Sequence, residues 1–240
     1  MASVYVVRHA QASFGAQDYD RLSVLGLRQA KLAGRYLQRA TRNVRRVISG
    51  SLVRHRATAA EIIRCVGSEG AAPVTVNTDA RLNELDIDAQ FAHLLPGMAD
   101  PDGELADLAA NRQVSGRSYQ FLVRQVFPHW QTLKEPPGEV ESWMAFSNRV
   151  GAVLDEIKRD SEAGESTIVV TSGAVIAVII QQLLELPANA TYPIFEVMMN
   201  CSVTRLLHDR KRFSLSSFND CSYLWVDEEG NADPKLLTYR

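Results

Sequence analysis

The pair Arg8-His9 combines two side chains that could handle phosphate, and it directly follows a short apolar run at residues 4–7. An arginine presents a planar fork of N–H donors that matches phosphate oxygens and stays charged at physiological pH. A neighbouring imidazole can attack phosphorus and so divide one difficult displacement into two easier steps. A histidine at the end of a strand is more often structural, so the pair needs companions before it indicates a site.

Three further segments carry residues suited to the same chemistry. The motif S-G-S-L-V-R ends at Arg54 and places a second guanidinium near a helix start, where backbone N–H groups favour anions. The motif R-L-N-E-L contains Glu84, which could protonate a leaving group if burial raised its pKa. The motif T-S-G-A contains Ser172 and opens another helix, where this serine suits an N-cap as well as a phosphate contact. Each segment alone is also compatible with an ordinary loop or helix start.

The predicted strands and helices bring these segments together. Strand patterns fall at residues 4–7, 44–48, 74–76, 167–171, 203–208 and 213–218. Helix patterns follow Ser23 as an N-cap and occupy residues 52–65 and 175–184, while residues 227–240 suggest a polar tail or edge. This alternation predicts an α/β fold with a mostly parallel central sheet. Because ligands gather at the carboxyl ends of parallel strands, all four segments are expected at one anion-binding edge.

Residues 86–137 lack a strand pattern and contain helical patterns at residues 105–110 and 119–133. We therefore predict a helical insertion over one edge of the sheet. No linker or repeat is visible, so residues 1–240 are predicted to form a single domain that carries this insertion.

The composition argues against several classes of function. The chain has 26 Lys and Arg against 28 Asp and Glu, a net charge of −2, which argues against nucleic-acid binding. The longest apolar run, residues 174–180, is far shorter than a membrane span, and no cleavable leader is evident. Three cysteines without C-x-x-C spacing indicate a reducing compartment rather than a zinc site. We expect a cytoplasmic protein that binds neither nucleic acid nor membrane; its oligomeric state is not predicted.

In their order along the chain, the motifs R-H-A, S-G-S-L-V-R followed by T-A, R-L-N-E-L and T-S-G-A resemble those of the histidine phosphatase superfamily, also called the phosphoglycerate mutase-like family. Three other segments resemble further motifs of that family: L-S-x-x-G-x-x-Q-A from Leu22, G-E-V-E-S ahead of Arg149, and N-x-S-V-T from Asn200. Each motif is short, but their combination along most of the chain is specific.

The resemblance implies a fold and a set of roles. The fold is a three-layer α/β/α sandwich with a helical cap. The phosphorylated residue is His9, and Glu84 matches the proton donor. The implied phosphate ligands are Arg8 and Arg54. The helix start of the fourth motif, at Ser172 and Gly173, adds a candidate phosphate contact through its N–H groups. No metal ion or other cofactor is implied, because the arginines and helix N-termini supply the positive charge.

Two positions depart from the family pattern. Ala10 replaces a glycine, which is a mild change if its φ is negative. Ser172 replaces a second histidine that donates to a phosphate oxygen, and losing such a donor costs on the order of 10²–10³ in rate. A serine hydroxyl recovers part of this as a neutral donor. His55 and His93 are candidate substitutes, although both are interpreted as surface or helix-packing side chains.

The sequence thus favours a phosphatase that hydrolyses a small phosphorylated substrate through a phosphohistidine on His9. One alternative is a catalytically degenerate module that binds a phospholigand or a protein. A phosphoglycerate mutase is less favoured, because it needs a basic site for the substrate carboxylate. Only three arginines of the insertion could supply that site, namely Arg112, Arg117 and Arg124.

Overall fold

The computed structural model of this chain describes residues 1–13, 19–67, 74, 76–100, 103–110, 116–227 and 229–239. Its six strands are β1 (Ala2–Arg8), β2 (Val44–Ser49), β3 (Val76–Thr78), β4 (Ser166–Thr171), β5 (Val203–His208) and β6 (Phe213–Asp220). They form one sheet in the order β3-β2-β4-β1-β5-β6. The first four strands are mutually parallel, whereas β5 is antiparallel to β1 and β6 is antiparallel to β5. The prediction of a mostly parallel sheet is confirmed.

Helices cover both faces of this sheet. The helices α1 (Val24–Ala40) and α2 (Val53–Val66) share a buried cluster with Tyr5 and Val7 of β1. The alternate residues Val4 and Val6 pack on the other face in a cluster that includes α6 (Trp143–Asp160) and α7 (Gly173–Leu183). Every residue of β4 is buried, as expected for a central parallel strand covered on both sides. The three-layer α/β/α arrangement is therefore confirmed.

The segment between β3 and α6 is helical, as predicted. It contains α3 (Ile87–Leu94), α4 (Glu104–Ala110) and α5 (Gly116–Thr132). Trp130 of α5 is fully buried and packs edge-on against Phe146 of α6, at 5.7 Å between ring centroids. The short helix α8 (Thr191–Glu196) contributes Phe195, whose ring stacks on Phe127 of α5 at 5.6 Å. The insertion is thus joined to the sheet-covering helices by aromatic packing.

Two details differ from the sequence-based expectation. Strand β3 spans Val76–Thr78 and not residues 74–76, because the three residues that pair with β2 run from Val76, opposite Val47, to Thr78, opposite Ser49. Residue 75 lies outside the described residues. The polar C-terminal segment is a docked segment, since Leu236 is fully buried and its carbonyl accepts a hydrogen bond from Gln29 at 2.8 Å. Both differences depend on long-range pairing, which local patterns do not reveal. In the described part of the chain, no helix is long and apolar enough to cross a membrane.

Candidate active site

The backbone of His9 is held at the end of β1 by two neighbouring segments. Its N–H donates to the carbonyl of Thr171 at the end of β4, at 2.8 Å. Its carbonyl accepts from the backbone N–H of Cys201 and from the Asn200 side chain, both at 3.3 Å. The N-x-S-V-T segment therefore has a concrete task, which is to fix the main chain of the candidate nucleophile from the antiparallel side of the sheet.

The side chain of His9 is almost completely buried, with 5% of its surface exposed. Its Nδ1 lies 2.8 Å from the carbonyl oxygen of Ala10, so Nδ1 carries the hydrogen and Nε2 has the free lone pair. Burial lowers the pKa of His9 well below its usual value, and the positive charges of Arg54 and Arg8 lower it further. The ring is therefore neutral at physiological pH, the state in which an imidazole is nucleophilic. Ala10 is not among the described residues with positive φ, so its methyl group causes no backbone strain.

Arg54 is oriented by an acidic partner that the sequence motifs did not indicate. Its Nη1 donates to Asp20 Oδ1 at 2.6 Å, and Asp20 also accepts from the backbone N–H of Val53 at 2.7 Å. The Arg54 side chain is 11% exposed, and its buried Nε has no hydrogen-bond partner among the described residues. A buried, unmatched guanidinium donor of this kind suits an anionic ligand.

Two main-chain carbonyl groups hold Arg8, whereas a carboxylate holds Arg54. Its Nη1 donates to the carbonyls of Met198 and Tyr239, the latter at 2.8 Å. Tyr239 lies 231 residues after Arg8 in the sequence, so no local motif could identify it as a partner of Arg8. These contacts fix the guanidinium without neutralising it, since a carbonyl carries no net charge.

The surroundings of Glu84 shift its carboxyl group toward the protonated form. Burial raises its pKa, although Arg54 and Arg8 oppose the shift. Its Oε2 accepts from the backbone N–H of Ala174 in the first turn of α7, at 3.3 Å. A raised pKa allows a carboxylic acid to donate a proton near neutral pH.

The loop that carries Glu84 is braced from two directions. Asn83 accepts from the backbone N–H of Ser51 and donates to the Ser51 hydroxyl, both at 2.7 Å. Arg149 donates to the Asn83 carbonyl at 2.9 Å and pairs with Glu141 at 2.8 Å. The G-E-V-E-S segment and Arg149 therefore act on the site through the position of this loop.

Ser172 occupies the N-cap position of α7, but its side chain makes no capping hydrogen bond to that helix. Its Oγ instead lies 2.5 Å from Nε2 of His55, and both side chains are completely buried. The ring of His55 is also 5.5 Å from the ring of His9. His55 is therefore not a surface side chain: it is buried on α2 and lies beside the candidate nucleophile.

The other two residues of uncertain role are placed differently. His93 of the insertion is exposed and lies against Gly138, in keeping with its interpretation as a surface side chain. Gly173 is fully buried, and a Cβ added there would approach the Phe195 ring to 3.1 Å and Arg8 Nε to 3.6 Å. A glycine at this position therefore leaves room for the Phe195 ring, whereas the approach to Arg8 would be an ordinary van der Waals contact.

Four of the six predicted site residues line one cavity of about 320 Å³, namely Arg8, His9, Arg54 and Glu84. Ser172 and Gly173 are not part of its wall. A second cavity of about 290 Å³ shares Arg8 and Phe195 with the first, and its wall includes Arg124 and Tyr192. Of the other two arginines in the insertion, Arg117 is exposed outside both cavities, and Arg112 lies outside the described residues.

Fold and site together define the class of protein: an α/β protein in which a neutral histidine, two arginines and a carboxyl group surround a cavity beyond the carboxyl ends of parallel strands. The family model described as histidine phosphatase superfamily (branch 1) matches residues 4–94 and 102–221. The chain belongs to this superfamily, which confirms the resemblance of its motifs.

Solved structures share this fold over nearly the whole chain. YhfR from Bacillus stearothermophilus is 20% identical with a TM-score of 0.64, and the match covers 93% of this chain and 99% of that one. A mycobacterial glucosyl-3-phosphoglycerate phosphatase is 23% identical with a TM-score of 0.59, covering 90% and 98% respectively. A phosphoserine phosphatase mutant from Entamoeba histolytica, in complex with phosphoserine, is 17% identical with a TM-score of 0.60, covering 93% and 100%. At these identities the likeness shows the fold alone. No curated protein matches the chain in sequence.

Proposed function

We propose that this protein is a phosphatase that hydrolyses a phosphomonoester through a phosphohistidine intermediate on His9. The observation that carries the proposal is the state of the His9 ring: its Nδ1–H is committed to the Ala10 carbonyl, and its low pKa keeps Nε2 unprotonated. The same ring lines a cavity with Arg8, Arg54 and Glu84. A nucleophile, two cationic ligands and a proton donor are the groups that phosphoryl transfer to an imidazole requires.

In the first step, His9 Nε2 attacks phosphorus and the bond between phosphorus and the ester oxygen breaks. Glu84 gives its proton to the departing oxygen, and the product alcohol leaves. Arg8 and Arg54 compensate the charge on the non-bridging oxygens.

In the second step, the Glu84 carboxylate takes a proton from water while the water oxygen attacks phosphorus. The bond between phosphorus and Nε2 breaks, so inorganic phosphate is released. His9 and Glu84 return to their starting protonation states.

The substrate that we propose is a small phosphorylated metabolite. A cavity of about 320 Å³ accommodates a phosphoryl group with a short leaving group, and the adjoining cavity offers further room beyond Arg8 and Phe195. Structural neighbours named as a phosphoserine phosphatase and a glucosyl-3-phosphoglycerate phosphatase support this substrate class. We further propose that the reaction needs no metal ion, because two guanidinium groups supply the charge, and that the protein works in the cytoplasm, in keeping with its free thiols Cys65, Cys201 and Cys221.

The main alternative is a module that binds a phospholigand but does not turn it over. The observation that favours it is Ser172, which stands where the family resemblance implies a second pocket histidine. Such a module would keep the grip of Arg8 and Arg54 on phosphate and lose the reaction at His9.

The test combines turnover with trapping of the intermediate. The wild-type protein should release phosphate from p-nitrophenyl phosphate, and acid-free quenching should trap an acid-labile, alkali-stable phosphoryl group on His9. His9→Ala should abolish both signals, whereas the matched control His93→Ala, an exposed histidine of the insertion, should retain them. Binding of orthovanadate without any phosphate release would favour the binding module. Undiminished turnover by His9→Ala would contradict the proposal outright.

A further inference from the structure

Asp20 joins two parts of the site that are far apart in sequence. Its Oδ1 accepts from Nη1 of Arg54 at 2.6 Å, and its Oδ2 accepts from the backbone N–H of Val53 at 2.7 Å. Both partners lie at the start of α2, 33 and 34 residues further along the chain. The N-cap residue Leu52 makes no side-chain capping bond, so the carboxylate that caps α2 comes from Asp20.

The segment that carries Asp20 is attached to the chain that leaves the candidate nucleophile. Residues 21–23 pair with residues 11–13 through an isolated antiparallel bridge and two backbone hydrogen bonds of 2.8 and 3.0 Å. Residues 11–13 begin two positions after His9. The position of Asp20, and of the guanidinium that it holds, is therefore set relative to the turn at His9.

Arg54 has a second contact with the same segment. The centroid of the Tyr19 ring lies 5.8 Å from Cζ of Arg54, within the range of a cation–π interaction. Tyr19 and Arg54 both line the cavity that holds His9, whereas Asp20 is not part of its wall. A ligand in this cavity therefore meets Arg54 directly and Asp20 only through Arg54.

Fixing Arg54 in advance favours the binding of an anion. An arginine side chain loses much of its rotamer entropy when a ligand orders it, and a partner that orders it beforehand removes that cost. The negative charge of Asp20 opposes this gain, but the same carboxylate also faces the backbone N–H of Val53 and the positive end of the α2 dipole. Arg54 therefore shares this counter-charge with the helix and keeps its attraction for a phosphoryl group.

We propose that Asp20 is a positioning residue for phosphate binding, which fixes the Arg54 guanidinium at the cavity wall in register with His9. Asp20 does not touch the substrate, no proton is transferred, and no bond is made or broken at its carboxylate. The inference rests on the proposed function, because that function makes Arg54 a ligand of the phosphoryl group.

The first experiment is a double-mutant cycle on the affinity for orthovanadate. Asp20→Ala should weaken vanadate binding by about 10- to 100-fold, and Arg54→Ala should weaken it by at least as much. The double variant should bind no more weakly than Arg54→Ala, since Asp20 acts through Arg54. The matched control is Asp209→Ala in the turn between β5 and β6, which also removes a carboxylate that accepts from two backbone N–H groups, and it should bind vanadate like the wild type.

Added methylguanidinium gives a readout that a purely structural role would not move. In Arg54→Ala it should bind against the Asp20 carboxylate and raise the vanadate affinity at least tenfold. In the double variant it should have no effect, because the carboxylate that holds it is absent. Asp20→Asn in the Arg54→Ala background keeps the shape of the side chain without its charge and should also prevent the rescue. This variant carries the test if the Asp20→Ala proteins do not fold.

A role for Asp20 that is limited to capping α2 predicts a different pattern. The losses of affinity would then multiply in the double variant, and methylguanidinium would act equally with and without Asp20. Either result would overturn the proposal. Absence of rescue in Arg54→Ala itself, or an unchanged or tighter vanadate affinity in a folded Asp20→Ala protein, would also overturn it.

Vanadate binding does not require turnover, so this inference and the proposed function can fail separately. If the wild-type protein forms no phosphohistidine but the cycle and the rescue give the expected results, Asp20 positions Arg54 and the phosphatase proposal fails. If turnover proceeds through His9 while Asp20→Ala binds vanadate like the wild type, the phosphatase stands and the positioning role fails.

Discussion

Nδ1 of His9 lies 2.8 Å from the carbonyl oxygen of Ala10, so the candidate nucleophile is oriented by the main chain of its own neighbour. The Ala10 N–H in turn donates to Thr58 Oγ1 at 3.0 Å, which ties this turn to α2. Because one ring nitrogen is committed to the backbone, the tautomer of His9 does not depend on an acidic partner. The pH dependence of the reaction should therefore report His9 and Glu84 separately.

The first prediction concerns that pH dependence. His9 must be neutral to attack, and its pKa is lowered, so the acidic fall in kcat/KM should lie below the usual histidine range. Glu84 must be protonated to donate, and its pKa is raised, so the alkaline fall should lie above the usual carboxyl range. A kcat/KM profile, corrected for the separately measured ionisation of the substrate, checks both limbs. Persistence of the alkaline limb in Glu84→Gln would show that another group is responsible.

The second prediction concerns the leaving group. Glu84→Gln should slow His9 phosphorylation by alkyl phosphates by about 10²- to 10⁴-fold, the usual contribution of a general acid. Phosphorylation by p-nitrophenyl phosphate should change far less, because nitrophenolate departs without a proton. Single-turnover rates for the two substrate types provide the measurement. Equal losses for both would assign Glu84 a role other than proton donation.

The third prediction concerns the second cavity, where Arg124 contributes the positive charge that a substrate carboxylate would need. Arg124→Met should raise KM about tenfold for phosphorylated carboxylic acids and leave KM for neutral phosphomonoesters unchanged, as expected for one partly solvated ion pair. Arg117→Met is the matched control, since Arg117 lies on the same helix but outside the cavity wall. A KM increase for both substrate types would argue against carboxylate recognition by Arg124.

The fourth prediction concerns the space that holds His55. Gly50→Ala would place a Cβ 2.1 Å from His55 Nδ1 and 2.9 Å from Asn83 Oδ1, so the ring must move. We expect about a tenfold or greater loss of the phosphorylation rate and a destabilisation of about 1–3 kcal/mol, as in other overpacked interiors. Gly97→Ala is the control, because a Cβ there meets nothing within 4 Å. Wild-type rates in Gly50→Ala would show that the ring position is unimportant.

Much of the architecture was predictable, because the signals that specify it are local. The alternation of β-rich runs with amphipathic helices predicts an α/β fold, and a parallel sheet brings the carboxyl ends of its strands to one edge. Arg8-His9, Arg54 and Glu84 each follow a strand closely in sequence, so their convergence on one cavity follows from the topology. The sequence pattern places the third strand at residues 74–76, two residues too early, because the position of β3 depends on its pairing with β2 and not on its own apolar residues.

The sequence by itself determined the family, the order of the site motifs and the residue types available to bind phosphate. Only the tertiary structure decided which partner each of those residues has. Asp20 for Arg54, Tyr239 for Arg8 and His55 for Ser172 are all distant in sequence, at separations of 34, 231 and 117 residues. A motif records residue types and spacing along the chain, whereas a hydrogen bond depends on side-chain direction and on how separate segments pack. For that reason, the sequence names His55 and His93 equally as candidate substitutes for the missing histidine, and only the folded chain places His55 beside His9.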